Sequence, residues 1–350
     1  MEWERNAPLD SWTSFRLPAK AAYRVRCSAP EELPRLPELF PLDELPLLPL
    51  GTGSNVLFAQ DYPGIVLRAD FRGIRCMGTD EDSVRIEAAA GEPWHEFVQT
   101  CLRHGWYGLE NLALIPGTVG AAPVHNIGAY GVEVAQHLEE LVVWDCACNE
   151  FRCLPASALG LSYRSSLLRT RLLGRYVITQ VRFRLWRRAQ PRWEYPELAR
   201  FLRAHGISHP TAFDIFRAVI ALRREKLPDP ATVPNAGSFF KNPVIPAERA
   251  EELRRRYPGL PCFPHGAGMV KIPAGWLLEQ CGWKGARRGA VGTWSRHALV
   301  VVAYEPTTGM EILRLAAQLW RSVYERFGIE LEPEVLILPP ESWQPEALAR

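Results

Sequence analysis

The sequence predicts an α+β protein built as more than one domain, on three observations. Short apolar stretches with strand alternation dominate its first half, two glycine-rich runs without periodicity interrupt them, and helical periodicity takes over around a proline-rich break at Leu227-Pro228-Asp229-Pro230. At 350 residues, 47% of them apolar, the chain is long enough for two or three cores, since one domain takes about 100–200 residues.

The elements follow in order. Apolar Leu47 to Leu50 runs into Gly51-Thr52-Gly53-Ser54-Asn55, after which Val56-Leu57-Phe58 resumes a strand. Val84-Arg85-Ile86-Glu87-Ala88 alternates as a half-buried strand does, and Trp94 to Leu102 has helical spacing that stops before Gly105. From Glu110 to Gly131 periodicity vanishes while Gly, Ala and Pro accumulate, as expected of a long functional loop. Strands return at Leu141 to Trp144 and Tyr176 to Leu185. Thr211 is placed to cap a helix carrying Phe213, Phe216, Val219, Ile220 and Leu222, with a domain boundary near 215 to 230. Beyond it the pattern predicts two more helices, a strand at Ala298 to Val302, a long helix from about Thr308 to Phe327 stopped by Gly328, and a last strand from Ile329.

Composition excludes several functions. A formal charge of +2, spread without blocks, gives no footprint for nucleic acid. The polar start Met1-Glu2-Trp3-Glu4-Arg5-Asn6 is unlike a secretory signal, and no apolar run nears the ~18 residues of a membrane span, so a cytoplasmic protein without membrane partner is expected. The eight cysteines read as buried small residues rather than a disulfide framework, and Cys146, Cys148 and Cys153 lack a His or second Cys pair at zinc spacing, so no metal is expected. Lysine is scarce: Lys20, Lys226, Lys241, Lys271 and Lys284 stand against a large excess of Arg, which singles out positions wanting a compact ammonium.

Gly51-Thr52-Gly53-Ser54-Asn55 joins a strand to a tight turn rich in backbone N–H groups, the build of an anion nest for a pyrophosphate, although a plain glycine turn explains it equally. Ile115-Pro116-Gly117-Thr118-Val119-Gly120-Ala121-Ala122-Pro123 has the same character, and His125-Asn126-Ile127-Gly128-Ala129-Tyr130-Gly131 continues it with small residues suited to a planar ligand. Two such nests in one domain favour a dinucleotide.

These runs, with Tyr163-Arg164-Ser165-Ser166, the stretch Pro234 to Pro243 around Gly237-Ser238-Phe239-Phe240, Ala274 to Gly282, and Leu331-Glu332-Pro333-Glu334-Val335, closely resemble the UDP-N-acetylenolpyruvoylglucosamine reductases, in order and over nearly the whole chain. The resemblance implies a vanillyl-alcohol-oxidase-like, two-lobed FAD domain (1–70, rejoined by a strand in 329–350, and 71–215) and a separate α+β substrate domain (216–328). It implies noncovalent FAD, NADPH as reductant, a UDP-sugar substrate and a monomer. Gly51, Gly53, Ser54, Asn55, Pro116, Gly117, Thr118, Gly120, Ala121, Asn126, Gly128 and Arg223 fall at cofactor positions. Ser238 matches the proton donor, while Arg164 and Glu334 match residues that polarise the substrate carboxylate. Tyr163, Lys226, Asn242 and His297 match substrate positions, and Tyr195, within Arg192-Trp193-Glu194-Tyr195, resembles the lid tyrosine of the family's longer type. Thr13-Ser14-Phe15 and Ala303 depart from the family pattern. A flavin oxidase of the same fold, or a noncatalytic flavin or sugar-nucleotide binder, are the competing readings.

Overall fold

A computed structural model describes residues 1–349 and separates the chain into two compact units. The first holds Met1–Ala7, Ala21–Thr52 and Pro63–Glu225; the second holds Pro8–Lys20, Gly53–Tyr62 and the chain from Lys226 onward. The layout differs from the expected division at 1–70, 71–215, 216–328 and 329–350 in that residues 1–70 contribute to both units, while the later change, at Glu225/Lys226, falls inside the expected boundary region 215 to 230. Arg350, the end of the expected returning segment, lies outside the described residues.

The larger sheet of the first unit is antiparallel, in the order Glu150–Pro155, Leu138–Asp145, Tyr176–Trp186, Ser83–Ala89, Ile74–Thr79. Alternation aims Val84, Ile86 and Ala88 and, opposite them, Val181, Phe183 and Leu185 at one core. The helix Trp94–Arg103 answers that face with Trp94, Phe97, Val98, Cys101 and Leu102, the i, i+3, i+4, i+7, i+8 stripe that 3.6 residues per turn requires. Ile215, Val219 and Leu222 of the helix Ala212–Lys226 join the same core. Thr211 and Asp214 cap that helix reciprocally, Thr211 Oγ1 accepting from the Asp214 N–H at 3.2 Å. On the other face of the sheet Glu87, only 2% exposed, is neutralised by Arg75 and Arg182, each at 2.6 Å. A second sheet runs Glu2–Pro8, Lys20–Cys27, Tyr62–Ala69, Leu47–Leu50; its last pair is parallel, so Leu47–Leu50 delivers Gly51 at a strand end.

The second unit has an antiparallel sheet in the order Asn235–Ser238, His297–Ala303, Val291–Trp294, Arg287–Arg288. The helix Gly309–Phe327 buries Ile312, Leu313, Ala316, Leu319, Val323 and Phe327; Thr308 caps its start and Gly328, at φ 63°, ends it. The final strand corrects the expectation. It is Leu336–Leu338, parallel to Val56–Phe58, and does not begin at Ile329; ahead of it Pro333 makes an isolated antiparallel bridge to Phe240 rather than a ladder. Residues 329–335 instead bury Ile329 and Leu331 in the core of this unit. The helix Pro196–Ala204 was not expected. The eight cysteines are free thiols, as expected, but their burial departs from expectation: only Cys27 and Cys101 are buried, and Cys76, Cys148 and Cys153 are exposed.

Candidate active site

In the first unit the two glycine-rich runs touch. A Cβ on Gly51 would stand 2.9 Å from Thr118 Oγ1 and 3.2 Å from the Ala121 methyl, so the bare Cα of glycine permits this approach. The second run lies along residues 90–94: the Trp94 N–H donates to Gly117 O at 3.1 Å, Val119 to Glu92 O at 2.9 Å and Gly120 to Ala90 O at 2.9 Å. Gly120 is buried against Ala90, whose methyl a Cβ there would meet at 2.6 Å, whereas Gly117, Thr118 and Ala121 keep partial exposure and Pro116 is exposed.

The first run is divided between the two units. Gly51 and Thr52 belong to the first unit, and Gly53, Ser54 and Asn55 to the second. Gly53 has its own reason to be glycine: φ is 66° and a Cβ would fall 2.2 Å from Trp12 O. Its carbonyl accepts from the Ser14 N–H at 3.1 Å and from the Ser14 hydroxyl at 3.3 Å, and that hydroxyl also reaches Asn235 O. Thr13-Ser14-Phe15 thus fastens the turn despite departing from the family pattern. Asn55 Nδ2 donates to Glu334 O at 3.3 Å.

Asn126, 1% exposed, has its amide engaged by protein groups: Nδ2 donates to Glu133 Oε2 and Ser162 O, both at 2.9 Å, and Oδ1 accepts from the Ala135 N–H at 3.2 Å. Arg164 sits with Tyr163 at the centre of a tight turn closed by Ser162 and Ser165, at φ 53°, a conformation unfavourable for a side-chain-bearing residue. Its guanidinium donates to the carbonyls of Asn126 and Gly128 and lies 5.4 Å from the Tyr163 ring centroid. A Cβ on Gly128 would be 2.9 Å from Arg164 Nη1, so this glycine admits the guanidinium. Burial pushes the Arg223 guanidinium below its ordinary pKa; Tyr130 opposes the shift and Arg164 adds to it, which places the three side chains in one electrostatic neighbourhood. Tyr195, 41% exposed, meets Tyr130 edge to face at 5.5 Å. Asn111, which sequence reasoning missed, is 2% exposed and ties the two segments together, donating to Tyr130 O at 3.0 Å and Arg192 O at 2.8 Å.

In the second unit Ser238 ends the strand Asn235–Ser238 opposite Val300, and Gly237 before it has φ 70°. Phe239 and Phe240 anchor the following chain in the core. The Phe239 N–H donates to Leu299 O at 2.9 Å and its carbonyl accepts from the Glu334 N–H at 2.8 Å, so the backbones of Ser238 and Glu334 are held on neighbouring segments. Asn242 Oδ1 accepts from the Ala274 N–H at 2.9 Å, a cap for the helix Ala274–Gln280. His297 accepts at Nδ1 from the Leu299 N–H at 3.3 Å; burial first, then the charges of Lys226 and Lys284, push its pKa down to about 4. The site residues therefore gather as Gly51 with Thr118 and Ala121, as Arg164 with Tyr163, Gly128, Tyr130, Tyr195 and Arg223, as Ser238 with Glu334 and Asn55, and as His297 with Lys226.

Known proteins resemble the chain over its length. A family model described as the C-terminal domain of UDP-N-acetylenolpyruvoylglucosamine reductase matches residues 229–338, and one described as an FAD binding domain matches residues 21–150. A protein of Chromobacterium violaceum named UDP-N-acetylenolpyruvoylglucosamine reductase is 47% identical, with 97% of this chain and 99% of that one covered. One of the same name from Burkholderia multivorans is 44% identical, with 95% of each covered. The solved structure of the Thermus caldophilus reductase aligns with a TM-score of 0.63 at 25% identity, covering 97% of this chain and 98% of that one.

Proposed function

The chain belongs to the UDP-N-acetylenolpyruvoylglucosamine reductase family, and from that membership we propose that it reduces the enolpyruvyl ether of UDP-N-acetylenolpyruvoylglucosamine to UDP-N-acetylmuramate, a step of peptidoglycan precursor synthesis, as an FAD-containing, NADPH-dependent oxidoreductase. The observation that carries it is the contact between the two glycine-rich runs, Gly51 against Thr118 and Ala121, inside the stretch that matches an FAD binding domain. Their small residues and partly exposed backbone fit a pyrophosphate and an extended planar ring. FAD supplies hydride chemistry when bound, with NADPH as the source of the hydride.

The remaining requirements fall to the chain's own residues. Hydride addition at the terminal vinyl carbon leaves negative charge developing toward the carboxylate, and a proton must reach the ether-bearing carbon. The roles we assign are Ser238 as that proton donor, Arg164 as the planar fork for the carboxylate, and Glu334 as the group that orients it. The fixed backbone around Ser238, with glycine before and two buried phenylalanines after, supports a hydroxyl held in one place. Arg223 is assigned to the cofactor. Lys226, His297, Tyr163 and Asn242 are assigned to the sugar nucleotide, Asn242 through Nδ2 because its oxygen caps a helix. Tyr195, exposed beside Tyr130, is assigned to cover bound substrate. No helix among the described residues is long and apolar enough to cross a membrane, and the working form we propose is a cytoplasmic monomer.

Purified protein should be yellow, release FAD on acid denaturation, and oxidise NADPH only when the enolpyruvyl substrate is present. Flavin retained covalently on the denatured chain, or NADPH oxidation indifferent to that substrate, would overturn the assignment.

A further inference from the structure

Leu114, directly before the second glycine-rich run, has φ at 57°, a left-handed conformation unfavourable for leucine that persists only where its surroundings enforce it. Two helices enforce it here. The Leu114 N–H donates to His95 Nδ1 at 3.0 Å, from the helix Trp94–Arg103, and its carbonyl accepts from Arg223 Nε at 3.2 Å, from the helix Ala212–Lys226. The imidazole is fixed in turn by Phe216, stacked on it at 5.5 Å with the planes 8° apart. On either side the run is bonded to the same stretch of chain, Trp94 Nε1 donating to Leu112 O at 2.8 Å and the Trp94 N–H to Gly117 O at 3.1 Å.

We propose that His95 is a positioning residue for the cofactor: as the neutral Nε2–H tautomer its Nδ1 holds Leu114 left-handed and so sets the path by which residues 115–121 meet the FAD pyrophosphate. The proposal rests on the reading of that run as FAD-binding. A ring that accepts at Nδ1 must be neutral there, and its surroundings agree. Burial first and then Arg224 hold the imidazole below its ordinary pKa; Glu96, on its own helix, opposes them, and Arg223 adds a smaller push downward.

Three substitutions in the holoprotein separate the acceptor from the ring. His95→Phe keeps a ring for Phe216 and removes the acceptor; His95→Asn places an amide oxygen where Nδ1 was; His95→Gln reaches instead toward the position of Nε2. The readouts are hydrogen exchange at the Leu114 amide and the concentration of mild chaotrope that releases flavin, followed by its fluorescence. His95→Phe and His95→Gln should speed Leu114 exchange about tenfold, the effect of one lost hydrogen bond, and release flavin at lower chaotrope concentration, and His95→Asn should restore most of both. Equal behaviour of Phe and Asn variants would overturn the proposal. Gly117→Ala, a change in the run itself, tells the two levels apart. If it loosens flavin while His95→Phe speeds exchange without loosening flavin, His95 has no positioning role; if neither change loosens flavin, the reading of the run fails with it.

Discussion

His297 offers a stability measurement whose size follows from its surroundings. Its pKa lies near 4 in the folded protein, against about 6.5 for an unperturbed histidine in the unfolded chain. The folded state therefore resists a proton that the unfolded state accepts, so the stability is fully present above pH 6.5 and is lost as pH falls toward 4. At pH 5 the single-site linkage amounts to roughly 2 kcal/mol, and over the whole window to roughly 3 kcal/mol. Protonation also abolishes the Nδ1 acceptor that receives the Leu299 N–H, which acts in the same direction. His297→Asn keeps an acceptor in that place and cannot titrate. Its stability in urea should accordingly be flatter than wild type by roughly 2 kcal/mol between pH 7 and pH 5. The slope left in the variant includes His95 and His137, whose pKa values burial also lowers. Proton NMR locates the effect: the imidazole resonance missing from His297→Asn should titrate near 4. Parallel stability curves for the two proteins, or a midpoint near 6.5 for that resonance, would refute the reasoning.

Ser238→Ala should leave FAD binding and flavin reduction by NADPH nearly intact while slowing reoxidation by the enolpyruvyl substrate by about 10²–10⁴-fold, the usual cost of losing a general acid; rapid-mixing absorbance separates the two half-reactions, and wild-type reoxidation would leave Ser238 a turn residue. Tyr195→Phe should weaken substrate binding without changing the rate of flavin reduction in the absence of substrate, and equal losses in both would remove the lid role. Gly53→Ala combines a left-handed backbone with a Cβ 2.2 Å from Trp12 O, so it should destabilise the fold by about 2 kcal/mol or more, read as a fall in melting temperature; an unchanged melting temperature would show that Trp12 moves aside.

The sequence carried the elements whose physics is local. The stripe Trp94, Phe97, Val98, Cys101, Leu102 spells a helix packed on one face, and Thr308 and Gly328 mark both ends of the longest helix. The alternation in Tyr176–Trp186 likewise marks a strand with one wet face. The last strand was misplaced because apolar Ile329 and Leu331 look like strand residues, while their burial comes from packing in the core rather than from a ladder. The division into units was hidden because the chain crosses within Gly51–Asn55, at a turn whose glycines serve two purposes: Gly51 clears room for Thr118, and Gly53 makes a left-handed turn against Trp12.

The candidate site divides along the same line. Ser238, Arg164 and Glu334 are named as candidates because they stand in short segments with a family pattern, and that pattern does not show what surrounds them. Asn111, His95 and Ser14 fasten the segments around them, and each bonds to backbone: Asn111 to the carbonyls of Tyr130 and Arg192, His95 to the Leu114 amide, Ser14 to the carbonyls of Gly53 and Asn235. A bond to backbone leaves no trace in the identity of the partner residue. Its signature in the sequence is reduced to the polar side chain itself, such as Asn111 in the run Leu109-Glu110-Asn111-Leu112-Ala113, and that signal becomes specific only when the fold shows which carbonyls it reaches.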